Sequence, residues 1–133
     1  MASAPTPAAT TPTWMLVTGW IVSILPAGML LFSGAMKLAV PGAAAEASKD
    51  IGWQNESVIF ALGIVETACV IIYLIPQTSV LGAILMTGYL GGAVAAHVRV
   101  GEVFVLQVVL GILVWAGLWL RDARIRAIVP WRP

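Results

Sequence analysis

The chain has 133 residues, 60% of them hydrophobic and only 10% charged, with a formal net charge of +1. Soluble domains carry nearer a quarter of their residues charged, so this composition excludes a fold covered by water and implies the bilayer as a second solvent. So even a charge balance gives no footing for a nucleic acid, and a single cysteine, Cys69, excludes an intrachain disulfide and a cysteine-built zinc site.

In chain order, Met1 to Pro12 is an uncharged run of Ala, Pro, Thr and Ser, so residues 1–13 read as a flexible tail. It lacks the basic start of a signal peptide, and the first apolar stretch is expected to stay as an anchor. Four apolar segments follow. They cover 14–36, ending at Lys37; 58–75, broken by Glu66 and stopped at Pro76; 80–98, ending at His97 and Arg99; and 103–120, ending at Arg121. Each is close to the ~20 residues that cross a hydrocarbon core of about 30 Å. Lipid offers no partner to a free backbone N–H, so the expected fold is all-α, a transmembrane four-helix bundle over residues 14–120.

The connections add detail. Pro76 to Ser79 reads as a tight turn between helices 2 and 3, and Gly101-Glu102 as an equally short link to helix 4. In the longer first loop, Ala43 to Asp50 favours helix, Gly52 suits a turn and Trp53 suits the lipid–water boundary, which predicts a short interfacial helix. Trp14, Trp119 and Trp131 read as further interfacial anchors, and Pro26 is expected to kink helix 1. The pair Gly88-xxx-Gly92 predicts close helix packing within the chain in preference to dimerisation.

Four spans put both termini on one side. That side carries Arg121, Arg124, Arg126 and Arg132, against Lys37, Lys49 and Arg99 on the other, which favours a multi-pass cell-membrane protein with cytoplasmic termini. Residues 121–133 alternate arginine with Ile125, Ile128, Val129 and Trp131, the pattern of a basic amphipathic tail lying on the membrane surface.

Polar groups inside a membrane cost free energy, so they carry the functional information. Each span sets its few on one helical stripe: Ser33 and Lys37; Glu66, Cys69 and Tyr73; Tyr89, Ala93 and His97; Gln107, Gly111 and Trp115. Four facing stripes would line a polar interior on which Lys37, Glu66 and His97 converge. Glu66, near mid-membrane, must be paired, protonated or wet. It reads either as a structural partner of Lys37 or His97, or as a group that binds or protonates a ligand. His97, the one histidine, reads either as a hydrogen-bonded helix-end residue or as a proton carrier or haem ligand. A bis-histidine haem within one chain is excluded; a five-coordinate, single-histidine haem is not. No other metal site is expected. Cys69 reads as packing beside Glu66.

The ordered motifs resemble the DoxX-like membrane proteins. Ser33-Gly34-Ala35-Met36-Lys37-Leu38 matches their GxxKL signature. Gly63-Ile64-Val65-Glu66, Pro76, Gly82-Ala83, Tyr89 through Arg99 and Trp115 through Asp122 follow in order, so the resemblance runs from about Trp14 to Pro130. It implies a four-helix membrane bundle. It also implies a link to quinones, because the family takes its name from a subunit of an archaeal quinone-reducing, thiosulfate-oxidising system and some relatives accompany membrane oxidoreductases that handle oxidative stress.

Three functions fit these residues. The first is an accessory subunit of a membrane redox system, binding a quinone or another lipophilic molecule through Glu66 or His97 and Lys37, Arg99, Tyr89, Ser33 and Gln107. Its electrons would come from partner subunits, since the chain has no flavin or iron–sulfur motif. The second is a small membrane isomerase, cyclase or epoxide-opening enzyme, with Glu66 and His97 as catalytic acid and base and Lys37 or Arg99 stabilising an anion. The third is a transporter or channel, which with so few helices would need a homo-oligomer.

Overall fold

The computed structural model describes residues 10–129, and over these the chain is all-helical. The N-terminal tail before residue 10 and the end of the C-terminal tail, with Trp131 and Arg132, lie outside the described residues. Helix α1 spans Thr13–Ala39, α2 Pro41–Ala47, α3 Glu56–Leu74, α4 Ser79–Val100, α5 Val105–Arg121 and α6 Ala123–Arg126, with a 3-10 turn at Lys49–Ile51. Helices α1, α3 and α4, of 27, 19 and 22 residues, are long and apolar enough to cross a membrane. Helix α5 is equally apolar but has 17 residues, about 25 Å at 1.5 Å per residue.

Local chemistry sets the boundaries. Pro41 takes the first position of α2, where its missing N–H is no loss. Asn55 starts α3 ahead of the apolar run because its Oδ1 accepts from the backbone N–H groups of Ser57 (2.9 Å) and Val58 (3.3 Å). Ile75 is extended, as the residue before a proline prefers, and that ends α3. Helix α4 runs on to Val100 and closes at Gly101, whose φ of 75° only glycine adopts without strain. There Glu102 N–H bonds His97 O and Gly101 N–H bonds Val98 O, the paired closure of a Schellman cap. Because that closure uses Glu102, α5 starts at Val105, two residues later than hydropathy suggests. Helix α1 continues unbroken through the buried Pro26.

The four long helices form a ring in the order α1, α3, α4, α5, with α1 packed on both α3 and α5. Among the described residues the backbones of the diagonal pairs stay apart, and α3 reaches α5 only through side chains. Glycines set three sides of the ring. A Cβ on Gly82 of α4 would collide with the Tyr73 backbone of α3. On the α1–α3 side, a Cβ on Gly63 would lie 2.8 Å from Lys37 Cβ. On the α1–α5 side, one on Gly19 would lie 2.9 Å from Arg121 N. Gly88, Gly91 and Gly92 behave differently: a Cβ there meets nothing within 4 Å. The expectation that Gly88 and Gly92 pack against another helix of the chain is therefore overturned. The close approach on α4 falls at Gly82, because the short turn after Pro76 brings that end of α4 against α3.

The half of the bundle near the termini is locked by a second polar cluster. Val114 O accepts the Tyr73 hydroxyl proton at 2.8 Å, and Ser23 Oγ lies 2.9 Å from the same hydroxyl. Arg121 is 9% exposed, donates to Tyr73 O at 3.2 Å and stacks over Trp20 (4.2 Å) and Tyr73 (4.9 Å). The chain then turns back, and Arg126 donates to the last α5 carbonyls, Trp119 O and Leu120 O, and to Thr11 Oγ1. Outside the ring, Ile21, Ile24, Phe32, Ile64, Ile84 and Ile112 are exposed. A belt of this kind is a liability in water and matches lipid.

Candidate functional site

The half of the ring near the first loop encloses a cavity of about 570 Å3. All four long helices line it, and Ala47, Ser48, Ile51 and Trp53 of the first loop cover its loop-side end. Leu30, Ile59, Leu90 and Leu110 make it mostly apolar. Its polar groups are Ser33, Lys37, Glu66, Tyr89, His97 and Gln107.

Glu66 lies about 15 Å along α3, at the deep end of the cavity, and is 2% exposed. Lys37 Nζ donates to Glu66 Oε2 and to Ser33 Oγ, both at 2.6 Å, and Ser33 Oγ donates to the same Oε2 at 3.3 Å. The three groups form a closed triangle. Desolvating two charges is costly, and a short charge-assisted bond with a third polar partner is the arrangement that offsets it.

Across the cavity, His97 Nδ1 lies 2.8 Å from Ala93 O. A carbonyl can only accept, so Nδ1 carries the proton and Nε2 holds the lone pair. Gln107 Nε2, at 3.2 Å, donates to that lone pair. The Gln107 Oε1 is then buried without a partner. A metal would have to displace the Gln107 amide to reach His97, and among the described residues no three His, Cys, Asp or Glu side chains cluster as a metal site.

The residues singled out from the sequence divide. Ser33, Lys37, Glu66, Tyr89, His97 and Gln107 share the cavity. Arg99 does not: its Nη2 donates to Ile51 O at 3.1 Å, pinning the first loop to the end of α4. Tyr73 shares a stripe with Glu66 but belongs to the Arg121 cluster near the other end. Trp115 lies outside the ring, where its Nε1 donates to Thr87 Oγ1 at 2.8 Å. Cys69 is packed in the core. Trp53, expected at the lipid–water boundary, also lines the loop-side end of the cavity. Sequence reasoning read Arg121 as an orientation charge, whereas it is buried. The aromatic pair Trp20 and Tyr73 was the one available signal, and their distance apart in sequence hid it.

The profile of the DoxX-like family matches residues 21–119, which takes in every polar group of the cavity. No curated protein and no solved structure matches the chain.

Proposed function

This chain belongs to the DoxX-like family of membrane proteins, and from that premise we propose that its cavity binds a lipophilic molecule with a quinone-type head, as an accessory subunit of a membrane redox system. The observation that carries the reading is the lining: an apolar chamber with convergent polar groups at two opposed walls. Pockets for small lipophilic ligands have this make-up. A quinone head has two carbonyl acceptors on opposite edges. Lys37 and Ser33 supply donors on one wall and Gln107 on the other, with Tyr89 close to Glu66. The orphaned Gln107 Oε1 fits a ligand hydroxyl, the group a reduced quinone presents, since an unpaired buried acceptor costs about 1–3 kcal/mol. A quinone supplies two-electron chemistry when bound. The chain's own residues hold the head, exclude water and offer donors at Lys37, Ser33 and Gln107, while electrons come from a partner subunit.

The test is lipid extraction and mass spectrometry of the protein purified gently from its native membrane. A quinone is expected at near one per chain and lost in Glu66→Gln. An empty wild-type protein overturns the reading.

A second reading has one observation in its favour. His97, its Nε2 capped by the Gln107 amide, and the Glu66 carboxylate line the same cavity, and displacement of that amide by a substrate would leave them as an acid/base pair. Isomerisation of a lipophilic substrate by the purified chain alone, abolished by His97→Gln, would favour it.

We also place both termini in the cytoplasm. Lys37 is neutralised by Glu66, which leaves Lys49 and Arg99 on the loop side against Arg124 and Arg126 and the further arginine at 132.

A further inference from the structure

The geometry points to a passage between α3 and α4 through which a lipid-borne tail enters the cavity sideways from the bilayer. This rests on the proposed lipophile-binding role and names the route and the class of ligand: a polar head on a long apolar chain. The water-side end is covered, since α2 and the 3-10 turn pack across the ends of α1, α3 and α4 and Arg99 ties Ile51 down. The flank of the bundle differs. Gly88 and Gly92 line the cavity and are solvent-accessible, and a Cβ on either would meet nothing within 4 Å. Where such residues are glycines, the wall there is backbone alone.

The side on which it opens follows from the helix period. Thr87 of α4 faces α5, where it accepts from Trp115. At 100° per residue, Tyr89 is turned about 200° away from it, close to the about 220° of Gly82, which meets α3, and Gly88 and Gly92, at about 100° and 140°, lie on the outer flank beside that seam. The two helices are pressed together at Gly82 against Tyr73, near the short turn. One to three turns later the space beside Gly88 and Gly92 is open. Side chains there would fill the seam, and glycine costs a helix about 1 kcal/mol relative to alanine. The α1–α5 seam also meets the cavity, at Met29 and Leu106, but there two bulky, half-exposed side chains stand at the seam where α4 has only glycine backbone.

The test uses the full chain in nanodiscs of phosphatidylcholine containing a fraction of lipid with a diazirine on its acyl chain. Photolabelled residues are mapped by mass spectrometry. Adducts are expected on Glu66 and Tyr89 inside the cavity as well as on Val65 and Ile84 outside. In Gly88→Leu/Gly92→Leu the inner adducts should fall about tenfold, equivalent to ~1.4 kcal/mol of lost occupancy, while the outer ones persist. The variant should fold, because nothing lies within 4 Å of either new Cβ. Inner adducts absent from the wild type, or unchanged in the variant, would overturn the passage. So would their loss on Leu106→Trp in place of the glycine variant. The same samples are titrated with a decyl-substituted benzoquinone and its tail-less parent. Inner labelling without binding of either quinone would leave the passage standing and remove the quinone reading.

Discussion

Lys37 and Glu66 are worth more together than apart. Removing one partner of a buried pair strands the other and costs about 3–5 kcal/mol, whereas removing both is far cheaper. Lys37→Met should therefore lower the thermal unfolding midpoint in detergent clearly, and Lys37→Met/Glu66→Gln should recover most of the loss. A double variant less stable than the single one would show that the triangle with Ser33 does not stabilise the fold. At the other end, Arg121→Lys keeps the charge but loses the planar stack on Trp20 and Tyr73. Cation–π contacts of this kind contribute about 1–2 kcal/mol once desolvated, against about 0.6 for an average hydrogen bond between membrane helices. The lysine variant should thus unfold at a lower temperature than Tyr73→Phe. Which polar residues matter was legible from cost alone, since hydropathy marks every intramembrane charge. Which residues meet was legible only in part. Glu66 and Tyr73 share a face, but seven residues separate them by about 10 Å along the axis, and a stripe does not resolve depth. Arg99 and Arg121 both end a helix, and nothing local says that one grips a loop while the other turns inward.

Helices in this ring are placed by a few points of contact. Gly82→Ala puts a methyl group into the Tyr73 backbone and should prevent α3 and α4 from docking, seen as loss of a folded monodisperse protein in detergent. Gly91→Ala meets open space and should be neutral or raise stability by up to ~1 kcal/mol through helix propensity. Equal effects from the two substitutions would show that backbone contact at Gly82 does not set the α3–α4 side. Asn55→Ala should cost about 1 kcal/mol through the lost cap of α3. At the start of α6, the hydrogen bond from Arg124 lowers the Asp122 carboxyl below its usual 3.8. A depressed carboxyl stabilises the fold above its unfolded pKa and loses that contribution as pH falls through the folded one. Acid below about pH 4 should accordingly loosen the α5–α6 corner, and Asp122→Asn should remove that sensitivity, read from hydrogen exchange at Ala123 to Arg126. The spans and their class were readable because hydropathy and the missing backbone partners in lipid are local facts. Their ends moved by a residue or two wherever a cap such as Asn55 or Gly101 intervened.

The whole molecule closes its ring through its first and last long helices, and no periodicity in the sequence announces that α1 docks on α5. The docking depends on Gly19 and Ser23, one turn apart on α1, meeting Gly117 of α5, which is too far along the chain for any window to join to them. Orientation belongs to this scale as well. Reporter cysteines at Thr10 and Ile128 should both be shielded from an impermeant thiol reagent in intact cells, and one at Asn55 should react; the reverse pattern would invert the proposed topology. Ring closure also imposes an order on biosynthesis. Ribosomes add roughly 5–20 residues per second, so several seconds pass between the end of α1 and the emergence of α5. During that interval α1 stands in the bilayer with no neighbour along its Gly19 edge. The Lys37 charge is neutralised earlier, once α3 brings Glu66. A nascent chain arrested before α5 therefore holds its ion pair but leaves an open flank, which marks it for membrane chaperones and quality-control proteases until the last span arrives.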